Sequence, residues 1–572
     1  MTSRRTFLAG ASAAVGVVAL PSRAAGAPGE PGGIAGAPGG TAGEPGGIAG
    51  APGEAAGGPA EAAGATTVTP ADPRYPDLVR GLNQRWVGSP ARVHLVTSTD
   101  EVVDAVGRAV RAGERLSVRS GGHCFEDFVY RPGVDAVIDL SAMDAVRFDP
   151  ARGAFEVQAG ARLLDVYETL YRRWGVVLPA GICYTVGVGG HVPGGGWGLL
   201  SRRHGLAVDH LAALEVVVVD ASGTARAVVA TADPADPHHD LWWAHTGGGG
   251  GSFGVVTRFW FRTPGAAGSP ATALPAPPAE VFVASLAWPW ERMTEAAFTA
   301  LVDNFGRWHE AHAGVAEPEA GICALVSLAH RAGGRITATV QADATAAGAE
   351  EALAGFLAAL RRDVPVEPVV SPAPGEEVRT AAGPGVRRLP WLQAARWFGT
   401  TDGALNDPSA RMDYKSSFLR RRMPSSHISA LYRHLTGPDG NPTAMVQLHS
   451  FGGRVSAVPP DATAYAHRDA IYNMIWYAQW HDPADDAANL RWIRQCYEDV
   501  YAATGGVPVP DDVTDGCYVN YPDIDLNDPA RNRSGVPWHT LYHKDGYRRL
   551  QRVKAAWDPL DAFRHGQSVR PR

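Results

Sequence analysis

Three glycine-rich segments contain most of the side chains that could take part in chemistry. In the first, VRSGGHCFEDF, Gly121 and Gly122 precede His123; the second, GICYTVGVGGHVPGGGWGLLSRRHGL, contains Cys183; the third reads HTGGGGGSFGVVTRFWF. Glycine allows positive φ and close backbone approach, so backbone N–H groups in such loops can face an anion. One such loop indicates only a tight turn, but three that adjoin strands predict a large phosphate-bearing ligand.

Other reactive side chains give weaker signals. His238, His239 and Asp240 could suggest a metal site, but adjacent histidines do not readily share one ion, so we expect a solvated loop and no metal ligands. Lysine occurs only at positions 415, 544 and 554, which excludes a Walker-type phosphate lysine and a Schiff-base lysine in the N-terminal half. Five cysteines are too few for a disulfide scaffold, and an odd number leaves at least one thiol free or reactive.

The segments around these loops have the periodicities of strands and helices. RVHLVTST and RLSVRS predict two strands joined by a helix over 100–112, and AVIDLS, FEVQAG and LEVVVVDASG predict further strands. From about 281 to 509, helices such as TEAAFTALVDNFGRWHEAHA alternate with strands such as RITATVQADA, which predicts an antiparallel sheet backed by helices. The expected fold class is therefore α+β.

Composition limits the broad class of protein. A chain of 572 residues is long enough for at least two domains. Its 52 Lys and Arg against 59 Asp and Glu give a formal net charge of −7, which argues against a nucleic-acid partner. With 45% hydrophobic and 19% charged residues, the chain is expected to bury a sizeable core.

The first 67 residues predict export and a spacer. Arg4 and Arg5 precede an apolar run that ends near Leu20, and small residues follow. Residues 1–27 therefore predict a twin-arginine signal peptide, which implies the twin-arginine export machinery as a partner. We expect the protein to be secreted, with no membrane insertion after cleavage. An uncleaved anchor is the alternative. Residues 28–67 repeat GEPGGIAGAPG and predict a flexible linker.

The glycine-rich segments, together with YVNYPDIDLND and FRHGQSVRP near the C-terminus, resemble the vanillyl-alcohol-oxidase superfamily of FAD enzymes. They are similar to the branch typified by berberine bridge enzyme, glucooligosaccharide oxidase and aclacinomycin oxidoreductase. FEDF, DPHHDLWWAHTGGGGGSFGVVT and TGGVPVPDDV are especially similar to hexose oxidases that tailor glycopeptide antibiotics. The resemblance implies a PCMH-type FAD-binding domain of two α/β subdomains over 68–266, a substrate-binding domain over 267–508, and a C-terminal segment over 509–572 that returns to the FAD domain.

The resemblance implies covalent FAD, with His123 bonded to the flavin 8α-methyl carbon and Cys183 to ring carbon C6. A neutral imidazole and a thiolate are suitable nucleophiles for these bonds, and two bonds would hold the ring still and favour alcohol oxidation. The alternatives are a histidine that only donates a hydrogen bond and a disulfide between Cys124 and Cys183. Further FAD contacts are expected from Arg119, Ser120, Gly121, Gly122, Gly189, Gly190, Gly194, Gly195, Phe253, Gly254, Val255, Asn520 and Tyr521, whereas Leu241 to Trp243 are expected to pack.

The resemblance also implies a tyrosine base in the YxNY motif, because hydride leaves a carbinol carbon only as the hydroxyl proton is removed. We expect Tyr518 to be the base and Tyr521 a flavin contact, on opposite faces of a strand that puts Asn520 beside Tyr518. Tyr521 as base, or Tyr518 as a buried aromatic, are the alternatives.

The substrate lobe offers several candidate contacts. Berberine bridge enzyme takes a carboxylate base from its substrate-domain sheet, where the corresponding-looking strand here offers Gln447 and His449; this difference favours alcohol oxidation. NMIWYAQWHD supplies Trp476, Tyr477, Gln479 and Trp480, which could stack on a sugar or equally well belong to the core.

Together these implications predict a secreted FAD-dependent oxidase. It would oxidise a CH–OH group of a sugar or glycosylated natural product, with O₂ reoxidising the flavin to give H₂O₂. One alternative is oxidative cyclisation or desaturation of a secondary metabolite at the same flavin. Another is a non-enzymatic secreted binding protein with a Cys124–Cys183 bridge. A reductase of the UDP-N-acetylenolpyruvoylglucosamine type would need neither the covalent links nor export.

Overall fold

The computed structural model describes residues 65–572 except 317, 372, 379–382, 384 and 401–406. The predicted signal peptide over 1–27 and nearly all of the predicted linker over 28–67 lie outside the described residues. Three β-sheets and their helices make up the described part. The predicted domain boundaries at 266/267 and 508/509 remain predictions.

A small, mostly parallel sheet carries the first glycine-rich loop. Its strands, in spatial order, are β1 (Thr66–Val68), β2 (Arg92–Leu95), β4 (Ala136–Asp139) and β3 (Leu116–Arg119), and β2, β4 and β3 run parallel. The predicted helix between β2 and β3 is confirmed as α2 (Thr99–Arg111), whose N-terminus is capped by the hydroxyl of Ser98 accepting from the Glu101 N–H. Because β3 ends at Arg119, the segment 120–123 leaves the carboxyl end of a parallel strand, where ligands bind in open α/β sheets.

A second sheet is antiparallel. Its strands, in spatial order, are β5 (Val146–Asp149), β6 (Ala154–Gln158), β9 (Val255–Phe261), β7 (Leu211–Val219) and β8 (Ala225–Thr231). The other two glycine-rich segments precede β7 and β9. The amphipathic helix expected after β6 is α3 (Leu163–Trp174). Short helices interrupt the following loops: α4 (Val188–His191), α5 (Ser201–His204) and α6 (His239–Ala244). These two sheets lie within residues 66–261, the part of the chain for which an FAD-binding domain is predicted.

The largest sheet has nine strands and is antiparallel throughout. Its main path is β14 (Glu376–Glu377), β15 (Val386–Pro390), β10 (Glu280–Pro289), β12 (Arg335–Asp343), β11 (Cys323–Ala329), β17 (Met445–Ser450), β18 (Tyr472–Trp480) and β16 (Arg411–Leu419), with β13 (Val369–Val370) paired to β10. Helices α7 (Glu295–Ala311), α8 (Ala349–Arg361), α10 (Ser425–Thr436) and α11 (Asp486–Val500) share an apolar core with one face of this sheet. The predicted antiparallel sheet backed by helices is confirmed, and with it the α+β class.

The remaining helices are short connections and the C-terminal pair. These are α1 (Tyr75–Leu78), α9 (Trp391–Thr400), α12 (Trp538–His543) and α13 (Tyr547–Trp557). The expected packing role of Leu241 to Trp243 is met on α6, where all three side chains are buried and α13 packs against the helix. No helix within the described ranges is long and apolar enough to cross a bilayer.

Candidate functional site

A cavity of about 370 Å³ lies where the glycine-rich loops meet the uncovered face of the nine-stranded sheet. Its wall combines residues that are hundreds of positions apart in the sequence. Many of the residues predicted to bind the cofactor or substrate, or to take part in catalysis, line this cavity. They are Arg119, Ser120, Gly121, Gly122, His123, Cys183, Gly189, Gly190, Gly254, Val255, Gln447, His449, Tyr518, Asn520 and Tyr521. The fold therefore brings the predicted cofactor and catalytic residues together around one space.

His123 is held by a neighbour of Cys183. Its Nε2 lies 2.7 Å from Thr185 Oγ1, so the two loops that carry His123 and Cys183 are joined by this hydrogen bond. Burial, with help from the nearby charges of Arg162 and Arg119, lowers the pKa of His123 to about 4. The imidazole is therefore neutral at physiological pH, the form in which one ring nitrogen is nucleophilic.

The alternative Cys124–Cys183 disulfide is wrong. None of the five cysteines, all of which the structure describes, forms a disulfide. Both thiols line the cavity. Burial raises the pKa of the Cys124 thiol to about 12, so Cys124 is an unreactive neighbour of His123.

Tyr518 presents its hydroxyl oxygen to three donors. The backbone N–H groups of Gly196 and Trp197 lie 3.2 and 3.3 Å from Tyr518 Oη, and the side-chain Nδ2 of Asn520 lies 3.0 Å from it. A phenol oxygen has two lone pairs, whereas a phenolate has three, so this arrangement matches the anion. Burial raises the pKa of Tyr518 to about 12, and the same three hydrogen bonds oppose that rise.

The prediction that Tyr518 to Tyr521 form a strand is wrong. These residues make a turn closed by the Tyr521 N–H donating to the Tyr518 carbonyl at 2.9 Å. The rings of Tyr518 and Tyr521 meet edge to face, with centroids 5.0 Å apart. The proline at 522 favours a turn over a central strand, and the turn brings both tyrosines to the same cavity.

A chain of polar side chains runs along the cavity face of the nine-stranded sheet. Ser327 Oγ receives a hydrogen bond from Gln447 Nε2 at 2.6 Å, and Gln447 Oε1 lies 2.5 Å from His449 Nε2. Because an amide oxygen only accepts, Nε2 of His449 carries the proton and Nδ1 keeps a lone pair. That Nδ1 is buried without a partner, and burial lowers the pKa of His449 to about 3.

Trp197 completes this part of the wall. Its indole stacks on the imidazole of His449, with ring centroids 4.8 Å apart and planes 7° from parallel. The Trp197 indole N–H is likewise buried without a partner. The cavity wall thus carries one unmet donor and one unmet acceptor side by side, and such groups cost free energy unless a ligand satisfies them.

Three candidate sugar contacts lie elsewhere. Trp476 is fully buried on the helix side of β18, where its ring meets Tyr497 of α11 edge to face at 4.9 Å. Trp480 belongs to the same core and donates its indole N–H to Asp486. Gln479 accepts a hydrogen bond from the Tyr477 hydroxyl and does not reach the cavity wall, whereas Tyr477 does. The interpretation of Trp476 and Trp480 as sugar platforms is therefore wrong.

Three predicted FAD contacts support the site from behind instead of lining it. Phe253 is fully buried in the main core against His245. Gly194 lies so close to Asn520 that a Cβ on it would be 1.9 Å from Asn520 Oδ1. Gly195 has φ +119° and lies against the ring of Tyr465. These two glycines let the chain turn so that the next two N–H groups reach Tyr518.

Several cavity residues were not anticipated from the sequence. They are Phe125, His191, Trp197, Tyr414 and His565. The signal for His191 was its position in the Cys183 segment, and that for Phe125 was its position two residues after His123. Tyr414 lies on β16 opposite Tyr477 of β18, and its ring stacks on that of Phe125 at 3.8 Å. Within the described ranges, no cluster of His, Cys, Asp and Glu is arranged to hold a metal ion.

The cavity suits a dinucleotide such as FAD. Arg119 donates to Asp139 at 2.6 Å, yet its Nε is buried with no partner and so can bind a ligand oxygen. Gly121 packs so tightly on the backbone of Gly187 that a Cβ would be 2.2 Å from its nitrogen, whereas nothing lies within 4 Å of a Cβ built on Gly190. The loops are therefore packed against each other on one side and open toward the cavity on the other.

Comparisons with known proteins agree with this geometry. Residues 90–228 match the family described as FAD binding domain, and residues 517–570 match the family described as berberine and berberine like. The chain is 49% identical to aclacinomycin-N/aclacinomycin-A oxidase of Streptomyces galilaeus over 87% of this chain and 89% of the relative. It is 32% identical to hexose oxidase of Chondrus crispus over 88% and 95%. The crystal structure of a glycopeptide hexose oxidase complexed with teicoplanin superposes with a TM-score of 0.82 at 44% identity, covering 89% of this chain and 99% of that one.

Proposed function

The chain belongs to the berberine-bridge-enzyme-like family of FAD-dependent oxidoreductases, and on that premise we propose that it oxidises a hydroxyl group of a sugar or of a glycosylated natural product. When bound, FAD would supply the hydride acceptor for this oxidation, with O₂ as the final oxidant and H₂O₂ as its product. The relatives named above support this substrate class, since one is a hexose oxidase and another was crystallised with the glycopeptide teicoplanin. The observation that carries the proposal is the cavity that combines His123, Cys183 and the threefold-bonded oxygen of Tyr518.

In this proposal Tyr518 removes the hydroxyl proton of the substrate. Its oxygen must carry negative charge before or during that transfer, and the N–H groups of Gly196 and Trp197, with the amide of Asn520, stabilise that charge. Because these donors are fixed before the substrate binds, no reorganisation is needed at the moment of transfer. The ring of Tyr521 packs edge to face with that of Tyr518, and Tyr521 lines the cavity, where it would contact the flavin.

The wall formed by Trp197 and His449 selects a hydroxyl-bearing substrate. A hydroxyl group both donates and accepts a hydrogen bond, so one hydroxyl can donate to His449 Nδ1 and accept from the Trp197 indole N–H. Gln447 fixes the tautomer that leaves Nδ1 available. A site with such buried groups discriminates strongly against analogues that lack the matching hydroxyl.

His123 and Cys183 are the proposed covalent attachment points of FAD, and Arg119 with the segment 120–122 binds its phosphates. The neutral state of His123 and the unmet Nε of Arg119 support these roles. Two attachments would restrict the movement of the flavin in the site.

We also propose that the chain is exported through the twin-arginine route, on the strength of Arg4 and Arg5 ahead of the apolar run. The proposal is tested by replacing both arginines with lysine, which retains the charge. The expected result is loss of the enzyme from the culture medium; unchanged secretion of the double variant would contradict the route.

The central experiment is a panel of mono- and oligosaccharides and glycosylated metabolites, read by peroxide release and by mass analysis of the product. An aldehyde, ketone or lactone with equimolar H₂O₂ per oxidation round supports the proposal. A product with a new C–C bond, or a carbon–carbon double bond formed without oxidation of a hydroxyl group, would favour the cyclising or desaturating alternative.

A further inference from the structure

Thr185 is the direct hydrogen-bond contact of His123, which lines the cavity. Its Oγ1 lies 2.7 Å from His123 Nε2, although the two residues are 62 positions apart in the sequence. The Thr185 segment is closely packed against the loop before His123, since a Cβ on Gly121 would lie 2.7 Å from the Thr185 carbonyl oxygen. Thr185 also follows Cys183 by two residues, so one short segment carries both the thiol and this hydroxyl group.

We propose that Thr185 is a positioning residue that prepares His123 for covalent attachment of the flavin. The inference rests on the proposed attachment at His123. A neutral imidazole carries its proton on one nitrogen and its lone pair on the other. When Nε2–H donates to Thr185 Oγ1, the lone pair is on Nδ1, and Nδ1 is the nitrogen that forms the bond.

The chemistry of attachment explains why this hydrogen bond matters. A C–H bond of the flavin 8-methyl group is replaced by a C–Nδ1 bond; the electron pair passes to the flavin ring with two protons, one from the methyl group and one from the imidazole. O₂, the oxidant of the proposed reaction, then removes the electrons and protons as H₂O₂. As Nδ1 forms its bond, positive charge develops on the imidazole, and the hydrogen bond from Nε2 to Thr185 becomes stronger.

The surroundings of His123 increase the need for such an acceptor. The imidazole is buried, and the positive charges of Arg162 and Arg119 oppose a further positive charge on it. Thr185 Oγ1 is a neutral oxygen. It can accept the hydrogen bond from the increasingly positive imidazole while it keeps its own proton. Its position on the Cys183 segment makes histidine attachment depend on that segment being in place.

The test uses the intact enzyme with Cys183→Ala, in which His123 is the one remaining proposed attachment point. Thr185→Val removes the hydroxyl group with little change in shape, and Thr185→Ser keeps it. After denaturation in acid and detergent, the flavin retained on the protein is measured by fluorescence. Mass spectrometry then measures how much of the His123 peptide carries the mass of the flavin. The measurement does not depend on turnover.

We expect C183A and C183A/T185S to retain flavin, and C183A/T185V to form the bond about tenfold or more slowly, the scale of one hydrogen bond to a group that gains charge. Thr185→Val with Cys183 intact should hold flavin through sulfur, which shows that the site still folds, while a smaller share of its His123 peptide carries the flavin mass than in the wild type. Equal flavin on the His123 peptide of T185V and wild type would overturn the role of Thr185. Complete release of flavin from the wild type would instead overturn the proposed covalent attachment itself.

Discussion

Tyr518, the proposed base, has neighbours that can stabilise its deprotonated form. Its pKa is raised to about 12 by burial, which alone would keep the phenol protonated at neutral pH. The donors from Gly196, Trp197 and Asn520 act in the opposite direction and are aimed at the oxygen that must become negative. The proposed proton acceptor therefore depends on three hydrogen bonds. Two come from Gly196 and Trp197, which are distant in the sequence, and one comes from Asn520 in the same turn.

Replacing Tyr518 with Phe should slow anaerobic flavin reduction by the substrate by ~10² or more, the usual contribution of a positioned general base. The ring and its packing remain, so flavin binding should be retained. Stopped-flow absorbance of the flavin measures the rate. Tyr521→Phe is the matched control, and a larger loss in that variant than in Tyr518→Phe would move the role of base to Tyr521.

Gln447 acts one step away from the substrate. In Gln447→Leu the Nε2–H of His449 loses its acceptor, and the imidazole can adopt the tautomer that no longer accepts a hydrogen bond at Nδ1. We expect KM to rise by ~10-fold, the scale of one hydrogen bond, with a smaller change in kcat. Ser327→Ala, which removes only the anchor of the Gln447 amide, should give a smaller rise. A fall in kcat at constant KM in Gln447→Leu would contradict this role.

At the scale of elements, the site combines the loop after β3, one face of the nine-stranded sheet and the segment between α3 and α4. β3 ends at Arg119 and delivers the His123 loop, while β17 and β18 deliver one face of side chains. The segment after Cys183 then turns twice through glycines so that two consecutive N–H groups face Tyr518. The geometry of the base is thus set by a loop in the FAD-binding part of the fold.

Gly194→Ala tests this loop. The added Cβ would lie 1.9 Å from Asn520 Oδ1, so either Asn520 or the backbone of residues 194–197 must move away from Tyr518. We expect ~10-fold or greater loss of the flavin reduction rate with the protein still folded, because one or more of the donors to Tyr518 is displaced. Gly355→Ala, at an open position on α8, is the control and should leave the rate unchanged. Normal reduction in Gly194→Ala would show that these donors are dispensable.

At the scale of the whole molecule, lysine side chains connect the C-terminal region to the rest of the fold. Lys415 of β16 lies 2.8 Å from carboxylate oxygens of both Asp523 and Asp525, just after the turn that carries Tyr518. Lys544 donates to the Ala466 carbonyl at 2.9 Å, and Lys554 donates to the Ser252 carbonyl at 2.7 Å. All three lysines of the chain are therefore used in contacts that hold the C-terminal region in place.

This use of lysine predicts the amine reactivity of the native enzyme. Lys415 and Lys554 have side chains 2% and 0% exposed, whereas Lys544 is 20% exposed. Brief treatment with an amine-reactive ester should therefore label at most Lys544 among the lysines, and all three after denaturation. Peptide mass spectrometry measures the sites; rapid labelling of Lys415 or Lys554 in the native enzyme would contradict the described packing.

Buried neutral histidines predict loss of stability in acid. Burial lowers the pKa of His191 and His245 to about 4 and that of His449 to about 3, against about 6.5 in an unfolded chain. At pH values between the folded and unfolded pKa, the unfolded state binds more protons than the folded state. The free energy of unfolding is therefore highest above about pH 7 and decreases as the pH falls toward 4. The decrease is up to about 1.4 kcal/mol per pH unit for each such histidine. Thermal midpoints measured at constant ionic strength should fall over this range, and a midpoint independent of pH would contradict it.

Local patterns in the sequence were sufficient for much of the fold. Glycine runs after strands, the helix over 100–112 and the alternation of strands and helices after 281 predicted the FAD-binding loops and the α+β class, because each of these features is encoded by neighbouring residues. His123 and Cys183 could be named for the same reason, since each lies within a short segment of recognisable type.

Only the tertiary structure decided which side chains share the cavity. Every residue of β18 is buried, so its sequence carries no contrast between an inward and an outward face, and Trp476 could not be distinguished from Tyr477. The two backbone donors to Tyr518 lie 322 and 321 positions away, a separation over which no local periodicity operates. Contacts of this kind exist only once the sheets have packed, because they depend on where loops from different sheets meet.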